Sequence, residues 1–314
     1  MPDAARRPFQ FLADARAPMP AGQLAERARR AEEAGFHALV IPDHLIDQMS
    51  PAPAMAVIAA STGRLRIGAF VFNNDLRHPA VLAQDLATLD VLSGGRLDVA
   101  IGAGWNQAEY DAIGLALEPG PVRVHRLEEA VAVLKGCFGE GPFSFEGSHY
   151  RITDYDAGPR PVQRPHPPFM IGGGGRRILS LAAHEAQIVG LAPTAAGNLP
   201  RFRRDTTRQQ VAWVREAAGD RFGELTLNVY ASFHPLTVTD DARGEARRVV
   251  DALRERAGVD LTEDEVLASP HLWIGSVDAL VEKIQGLREE LGITSFMLGD
   301  PDEMLPIVER LAGS

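Results

Sequence analysis

Residues 276–298 read SVDALVEKIQGLREELGITSFML and contain a complete helix-to-strand unit. Ser276 can cap a helix whose apolar residues recur at helical spacing, and Gly292 can end it. The run Thr294–Leu298 that follows is short and apolar, which is typical of a buried strand. Apolar helix, glycine and strand occur in the same order at two other places, where the helical patterns end at Gly35 and Gly94. Helices that alternate with apolar strands predict a parallel sheet.

Eight apolar segments have the length and flanking residues of strands. They are Phe9–Ala13, Ala38–Ile41, Leu65–Phe72, Leu97–Ile101, Phe169–Ile171, Ile188–Leu191, Leu225–Phe233 and Thr294–Leu298. Eight parallel strands with intervening helices close into a (β/α)8 barrel, or TIM barrel, whose functional groups lie on loops at the C-terminal strand ends. An open doubly wound sheet is the alternative, but the first strand is not followed by a Gly-x-Gly-x-x-Gly turn. We therefore predict a single α/β barrel domain over residues 1–314.

The long interval between Ile101 and Phe169 predicts an insertion at the barrel mouth. It has room for a helix that contains Leu127 and Phe138, and for a hairpin over Phe143–Ile152. A proline-rich stretch, too stiff for a helix, follows the hairpin. We interpret these elements as a decoration of the barrel and not as a second domain.

The composition excludes several function classes. The 314 residues carry 32 Lys and Arg against 42 Asp and Glu, a formal charge of −10, whereas nucleic acids and anionic membranes are bound by basic surfaces. One cysteine cannot form an intramolecular disulfide, and no signal-peptide pattern or run of about 18 apolar residues is present. We therefore expect a cytoplasmic protein with a small-molecule partner and with no nucleic-acid or membrane partner.

Polar residues follow the predicted strands where a barrel would have its active site. Asp43 and His44 come after the second strand, and a carboxylate beside an imidazole can orient it for proton transfer near neutral pH. A capping aspartate beside a surface histidine is the alternative for this dipeptide. The third strand leads into Asn73, and the fourth leads into Gly104, Trp105 and Asn106.

Four glycines, residues 172–175, follow the fifth predicted strand, and Arg176 and Arg177 open the next helix. Backbone amides without side chains can approach an anion, and the helix N-terminus adds partial positive charge. The pattern predicts a phosphate-binding loop. A tight turn that requires positive φ is the alternative.

Motifs of several other chemistries are missing from the sequence. It contains no His-x-His, His-Glu-x-x-His, Cys-x-x-Cys, Gly-x-Ser-x-Gly or Walker A motif, so we predict no metal site. The two lysines, Lys135 and Lys283, fall in helical patterns, which argues against a Schiff-base enzyme on a barrel. A small organic cofactor remains, and Phe70, Phe72 and Trp105 could contact a flat ring or belong to the core.

Several segments together form a family pattern. They are Ala34–Phe36, Ile41–His44, Leu65–Gly68, His78–Gln84, Ser93–Leu97, Gly102–Trp105, Arg126–Glu129 and Pro165–Gly175. Taken together, over nearly the whole chain, they resemble the luciferase-like monooxygenase superfamily and specifically its deazaflavin-dependent oxidoreductases. The resemblance implies a TIM barrel, commonly a homodimer, with coenzyme F420 (an 8-hydroxy-5-deazaflavin) or, in sister groups, FMN as cofactor.

The resemblance also implies roles for single residues and a reaction class. A deazaflavin transfers hydride only, so the implied reaction is hydride transfer to or from a small organic substrate. Asp43 and His44 would lie beside the reactive edge of the ring, and with Asn106 they are the catalytic candidates. The implied cofactor contacts are Asp43, a cis peptide between Phe70 and Val71, Asn73, Gly104, Trp105 and Asn106 around the ring, and Gly173, Gly174, Gly175 and Arg176 at the phosphate.

One departure from the family pattern bears on the reaction. Sugar-phosphate dehydrogenases of the group have glutamate where Gln107 stands, and an amide cannot exchange a proton near neutral pH. His44 would then be the one obvious proton carrier, which suits reduction of a polarised double bond and argues against a glucose-6-phosphate dehydrogenase. An FMN-dependent monooxygenase and a non-catalytic flavin- or deazaflavin-binding protein are the alternatives.

Overall fold

Strands and helices alternate through residues 7–156 and 158–313, which this computed structural model describes. The strands are β1 (Gln10–Asp14), β2 (Ala38–Ile41), β3 (Arg66–Ala69), β4 (Phe72–Asn73), β5 (Leu97–Gly102), β6 (Phe143–Glu146), β7 (Arg151–Tyr155), β8 (Phe169–Gly173), β9 (Ile188–Leu191), β10 (Thr226–Tyr230), β11 (Thr237–Val238), β12 (Ile274–Gly275) and β13 (Ile293–Met297). The helices are α1 (Ala21–Glu33), α2 (Pro51–Ser61), α3 (Pro79–Ser93), α4 (Gln107–Ile113), α5 (Gly120–Phe138), α6 (Arg176–Glu185), α7 (Arg204–Ala218), α8 (Ala242–Ala257), α9 (Glu263–Ala268), α10 (Val277–Leu291) and α11 (Pro301–Leu311).

The predicted (β/α)8 barrel is confirmed, and all eight predicted strand segments contain or overlap a strand. The segment predicted as Leu65–Phe72 differs, because it holds β3 and the start of β4 with a cis Phe70–Val71 peptide between them. The described chain divides into two compact units. The first unit contains residues 15–32 and 38–171, and the second contains residues 7–14, 33–37 and 172–313. A single domain over 1–314 stays a prediction, and residues 1–6, 157 and 314 of that range lie outside the described residues.

Strand β5 is central to the parallel sheet of the first unit. All six of its residues are buried. It pairs with β3 through Leu97 and Ile67, and with β8 through Val99 and Phe169. Strand β3 also pairs with β2, whose four residues are buried as well. A strand that is buried on both faces tends to be a continuous apolar run, and β2 fits this pattern. Strand β5 departs from it at Asp98, whose carboxylate pairs with Arg66 of β3 at 2.6 Å.

The predicted hairpin over Phe143–Ile152 is confirmed as the antiparallel pair β6 and β7. Glu129 of α5 fixes its turn, because the Glu129 carboxylate accepts hydrogen bonds from the backbone N–H groups of Ser148 (2.7 Å), His149 (2.8 Å) and Tyr150 (3.1 Å). Burial alone would raise the pKa of Glu129, but these three hydrogen bonds leave its pKa below the ordinary value. One buried carboxylate therefore connects the hairpin to the helix.

In the second unit, β13 lies between β1 and β10, and β10 pairs with β9. The helix before β13 has both predicted ends. Oγ of Ser276 accepts a hydrogen bond from the N–H of Ala279 at 3.3 Å, and Gly292 caps the other end with φ of 72°. No helix within the described ranges combines the length and apolar character that crossing a membrane requires.

Lys283 of α10 directs its ammonium group into the second unit. Its Nζ donates to the carbonyl oxygens of Leu267 (2.8 Å) and Leu272 (2.6 Å), and lies 4.7 Å from the ring centroid of the buried Trp273. The residue as a whole is half-buried, so it is the charged head that is enclosed. Burial lowers the pKa of Lys283 to about 7. The prediction that this lysine lies in a helix, and not at a strand end, is confirmed.

Candidate active site

The loops after β2 and β5 of the first unit, together with the end of β4, carry six of the twelve predicted site residues. Asp43 and His44 follow β2, Asn73 ends β4, and Asn106 precedes α4. The strands are parallel, so their C-terminal ends lie at one edge of the sheet. Hydrogen bonds connect Asp43 to Asn73 directly, and connect His44 to Asn106 through Glu109.

Asp43 is buried and has a donor on each carboxylate oxygen. Its Oδ2 accepts hydrogen bonds from the backbone N–H of Asn73 (2.9 Å) and from Nη1 of Arg77 (2.5 Å), and its Oδ1 accepts one from Nη2 of Arg77 (3.1 Å). Bidentate arginine pairs impose a fixed geometry. Asp43 is therefore suited to holding the loops after β2 and β4 in position. Sequence reasoning missed Arg77, which lies in a loop without a recognisable motif.

His44 is oriented by a carboxylate that sequence reasoning also missed. Its Nδ1 lies 2.8 Å from Oε1 of the buried Glu109. Nδ2 of Asn106 donates to the same oxygen at 2.5 Å, and the N–H of Leu45 donates to Oε2 at 3.3 Å. With Nδ1–H bonded to Glu109, the neutral ring presents the lone pair of Nε2, and the protonated ring presents Nε2–H. Nε2 has no hydrogen-bond partner among the described residues, so it is the atom available to a substrate.

The interpretation that leaves His44 as the one proton carrier stays a prediction, and the structure adds a buried carboxylate, Glu109, in direct contact with it. Gln107, on which that interpretation rested, donates from Nε2 to Oδ1 of Asp111 at 2.7 Å, one turn further along the exposed side of α4. Asn106 is the residue that precedes the helix, and Glu109 lies in its first turn. The spacing Asn-x-x-Glu at a helix start could have identified this carboxylate, because side chains at that spacing face each other.

Gly104 and Trp105 differ in what they contribute to the loop after β5. The indole of Trp105 is 70% exposed and packs edge-on against the His44 ring, with centroids 5.7 Å apart. Gly104 has φ of 72°, and a Cβ at this position would overlap Oη of Tyr110. Trp105 therefore offers an open aromatic surface beside His44. Phe72, another aromatic considered for ring contact, belongs to the core.

Tyr110 supports the loop that ends β4. Its Oη lies 3.1 Å from Oδ1 of Asn73 and 2.9 Å from Oδ2 of Asp75, whose other oxygen accepts a hydrogen bond from Arg126 at 2.9 Å. Burial raises the pKa of Tyr110 to about 12, so its hydroxyl stays protonated at neutral pH. The peptide between Phe70 and Val71, just before this loop, is cis, as the family resemblance implies.

The glycine loop at the end of β8 lies in the second unit. None of its four glycines has positive φ, so the alternative of a turn that requires left-handed backbone is wrong. A Cβ on Gly173 would overlap the side chain of Ile178, and a Cβ on Gly174 would overlap Oγ1 of Thr194. A Cβ on Gly175 would meet no atom within 4 Å. Gly173 and Gly174 therefore allow close packing, whereas Gly175 borders open space.

The start of α6 fits an anion. Gly175 is its N-cap residue, and it has no side chain that could accept from the N–H groups of the first turn. The open space at Gly175 lets a phosphate approach those N–H groups, where the helix dipole favours negative charge. Arg176 forms an ion pair with Glu216 at 2.7 Å, and both side chains are exposed. Exposed pairs contribute little, so a phosphate could compete for this guanidinium.

Comparison with known proteins gives matches over most of the chain. The family described as luciferase-like monooxygenase matches residues 7–295. The F420-dependent glucose-6-phosphate dehydrogenase of Intrasporangium calvum is 36% identical over 308 residues, which cover 90% of this chain and 89% of that protein. The FMNH(2)-dependent dimethylsulfone monooxygenase of Pseudomonas putida is 37% identical over 126 residues, which cover 40% of this chain and 34% of that protein.

A solved structure agrees with the barrel. The coenzyme F420-dependent tetrahydromethanopterin reductase from Methanopyrus kandleri has a TM-score of 0.78 and 22% identity, and the match covers 97% of this chain and 98% of that one. At this identity the likeness concerns the fold. The family match, by contrast, includes both the loops around His44 and the glycine loop. The chain therefore belongs to the luciferase-like monooxygenase family.

Proposed function

We propose that this protein is a coenzyme F420-dependent oxidoreductase that transfers a hydride between the deazaflavin and a small organic substrate. The protein is an oxidoreductase by its family and its relatives. One observation carries the proposal: Glu109 holds Nδ1 of His44, whose Nε2 is left without a partner among the described residues, beside the exposed Trp105. Hydride transfer to a polarised double bond needs a proton at the neighbouring atom, and an imidazole can supply it near neutral pH.

Each unit, taken by itself, offers residues that suit one part of such a cofactor. At the start of α6, Gly175 and Arg176, with the packed Gly173 and Gly174 before them, offer amides and a positive charge to a phosphate. In the first unit, Trp105 offers an aromatic surface to a flat ring, flanked by Gly104 and Asn106. The deazaflavin, when bound, donates or accepts the hydride. The 36% identity to an F420-dependent dehydrogenase supports this choice of cofactor.

The side chains of the protein have separate roles in the proposed reaction. His44 holds or moves the proton at Nε2. Glu109, itself held by a hydrogen bond from Asn106, keeps the imidazole in one orientation. Asp43, clamped by Arg77, fixes the loop from which His44 projects. We therefore assign Asp43 and Asn106 to positioning, and His44 to proton transfer.

The surroundings of His44 favour a substrate with an apolar body. Leu45 and Ile46, the next two residues, are 49% and 53% exposed, and Trp105 is more exposed still. Large apolar side chains left open beside a proton carrier suit a ligand that covers them. We propose a small carbonyl, imine or alkene with an apolar substituent, reduced by the cofactor and protonated by His44.

An FMN-dependent monooxygenase is the second candidate function. The identity of 37% to the FMNH(2)-dependent dimethylsulfone monooxygenase favours it, although that match covers 40% of this chain. A non-catalytic flavin- or deazaflavin-binding protein is the third. Binding alone cannot separate the first function from the third, because both would use the same loops.

Equilibrium binding followed by anaerobic turnover tests these three functions. We expect F420 to bind at least about tenfold more tightly than FMN by fluorescence titration, a difference of about 1.4 kcal/mol. We also expect reduced F420 to be oxidised by small apolar carbonyls, imines or alkenes, followed by its absorbance. Tighter binding of FMN together with substrate-dependent oxygen uptake would support the monooxygenase. Tight F420 binding without turnover across all three substrate classes would contradict the proposed enzyme.

We further propose that the protein acts in the cytoplasm as a homodimer. The acidic composition is consistent with this compartment. The homodimer is what the family resemblance implies. Light scattering of the purified protein at micromolar concentration measures the mass directly. A mass of one chain, 33.9 kDa, would contradict the dimer.

A further inference from the structure

Three side chains with metal-ligand atoms meet between α5 and the hairpin turn of the first unit. His125 and Glu129 lie one helical turn apart on α5, and His149 lies in the turn between β6 and β7. Their ligand atoms all lie within 4.8 Å of one another. Nε2 of His125 is 3.7 Å from Oε1 of Glu129, and the two imidazole centroids are 5.1 Å apart. This cluster takes no part in the function proposed above.

The carboxylate of the cluster is already fixed in place. Oε2 of Glu129 accepts hydrogen bonds from the N–H groups of His149 and Tyr150, whereas Oε1, among the described residues, accepts one from the N–H of Ser148 alone. A carboxylate oxygen has two acceptor directions, so Oε1 keeps one free for a further partner. Glu129 is 8% exposed and His125 is 44% exposed, so an ion could enter from solvent past His125 and reach a rigid ligand.

We propose that His125, Glu129 and His149 bind a divalent transition-metal ion of the zinc type. Imidazole nitrogen suits Zn²⁺, Ni²⁺, Cu²⁺ and Fe²⁺, whereas Ca²⁺ and Mg²⁺ prefer oxygen ligands. Bonds of about 2.0–2.1 Å place two ligands of a tetrahedral ion about 3.4 Å apart, close to the distance between His125 and Glu129. The ligand atoms of the cluster lie up to 4.8 Å apart, and rotation of the two partly exposed histidine side chains brings them to this shorter distance. Water completes the coordination.

The sequence motifs of familiar metal sites do not include this arrangement. Two of its ligands are His-x-x-x-Glu on a helix, and the third follows 20 residues after Glu129, on a different element. Only the hairpin brings His149 back to α5. The ion would join the hairpin turn to the helix, next to Tyr150, whose Oη accepts a hydrogen bond from Asn74 at 3.2 Å.

Metal titration of the full chain, without a histidine tag and after chelator treatment, tests the site. We expect Zn²⁺ and Co²⁺ to bind with one ion per chain by calorimetry, and saturating Zn²⁺ to raise the melting temperature. His125→Gln and His149→Gln should each weaken binding at least about tenfold, because replacing even an outer-shell partner of a metal ligand costs 10–100-fold. The matched control is His184→Gln, since His184 is an exposed histidine bonded to the carbonyl of Ala217.

Each outcome bears on the proposal. Neither substitution touches the hydrogen bonds of Glu129, and circular dichroism of the metal-free variants checks their fold. If one variant fails to fold, the other variant and the visible Co²⁺ spectrum of the unmodified protein still give an answer. Failure to bind Zn²⁺ and Co²⁺ at millimolar concentration would overturn the site. Equal affinity in the unmodified protein and in both folded variants would overturn it as well.

Discussion

Oε1 of Glu109 lies 2.8 Å from Nδ1 of His44, and Asn106 donates to the same carboxylate oxygen. His44 comes from the loop after β2, whereas Asn106 and Glu109 come from the start of α4, yet together they give one imidazole a fixed orientation with Nε2 outward. A carboxylate behind a histidine favours one tautomer and stabilises the imidazolium form. The pair therefore separates two roles, proton transfer at Nε2 and orientation through Nδ1, and the two can be tested separately.

We predict that Glu109→Gln lowers turnover while leaving cofactor affinity nearly unchanged. The oxygen of the new amide can still accept a hydrogen bond from Nδ1–H of His44. The amide carries no negative charge, however, so it no longer stabilises the protonated ring. The pH dependence of kcat should therefore move to lower pH on its basic side when His44 acts as an acid. Steady-state rates from pH 5 to 9, with F420 titrations beside them, measure both effects. Gln107→Ala is the matched control, because Gln107 lies in the same helix and its exposed side chain donates a hydrogen bond to Asp111, away from His44.

We predict that His44→Ala lowers turnover about 10²–10⁴-fold, as loss of an acid–base group does, with a much smaller loss of cofactor affinity. If His44 and Glu109 act as a unit, the double variant His44→Ala with Glu109→Gln should be no slower than His44→Ala alone. Single-turnover rates of reduced F420 oxidation give these comparisons. Unchanged turnover in His44→Ala would assign the residue to structure and contradict proton transfer at Nε2.

Substrate class gives a third prediction. Glu109 supplies a carboxylate at His44, so Gln107 alone does not exclude a glucose-6-phosphate dehydrogenase. The exposed Leu45 and Ile46, next to His44 in the chain, argue against that activity instead, since aliphatic side chains offer no hydrogen bonds to a sugar. We expect oxidised F420 to be reduced by a small apolar alcohol at least about tenfold faster than by glucose 6-phosphate, measured as kcat/KM. The opposite order would contradict the apolar substrate.

The barrel was predictable because its signals are local. Ser276 and Gly292 cap a helix through their own side chain and backbone, and the buried strand β2 is a continuous apolar run. Contacts between loops were not predictable in the same way. Arg77 reaches Asp43 across 34 residues, and Glu109 reaches His44 across 65, so no short motif contains either pair. His44 and Asp43 were predicted from the sequence, but their hydrogen-bond partners, Glu109 and Arg77, were found in the structure.

Replacement of glycines in the loop before α6 gives a fourth prediction. Gly174→Val cannot test phosphate binding by itself, because its Cβ would overlap Thr194 and destabilise the fold. Gly175→Val projects into open space, so it should weaken cofactor binding by ~2 kcal/mol, the scale of lost charge-assisted hydrogen bonds, and change the melting temperature little. Fluorescence titration with F420 and thermal unfolding separate the two variants. Normal F420 binding by Gly175→Val would show that the cofactor phosphate does not bind at the start of α6.

Lys283 gives a prediction on stability and pH. Burial lowers its pKa to about 7 in the folded protein, whereas an unfolded lysine titrates near 10.4. Between these values the unfolded state binds more protons than the folded state, so the free energy of unfolding should rise as pH increases from about 7 to about 10. Below pH 7 both states are protonated, and this lysine adds no further pH dependence. The slope from one group is at most about 1.4 kcal/mol per pH unit.

Urea unfolding at pH 7, 8 and 9 measures this contribution in the unmodified protein and in Lys283→Met. Methionine can occupy the space against Trp273 but carries no charge, so the rise in unfolding free energy over this window should be reduced or lost. Lys135→Met is the matched control, because Lys135 is the other lysine of the chain and its Nζ lies 5.4 Å from the Phe169 ring centroid in the first unit. The control should keep the rise. An equal rise in Lys283→Met would show that the ammonium group of Lys283 is solvated in the folded protein, and that its enclosure by Leu267 and Leu272 does not control its titration.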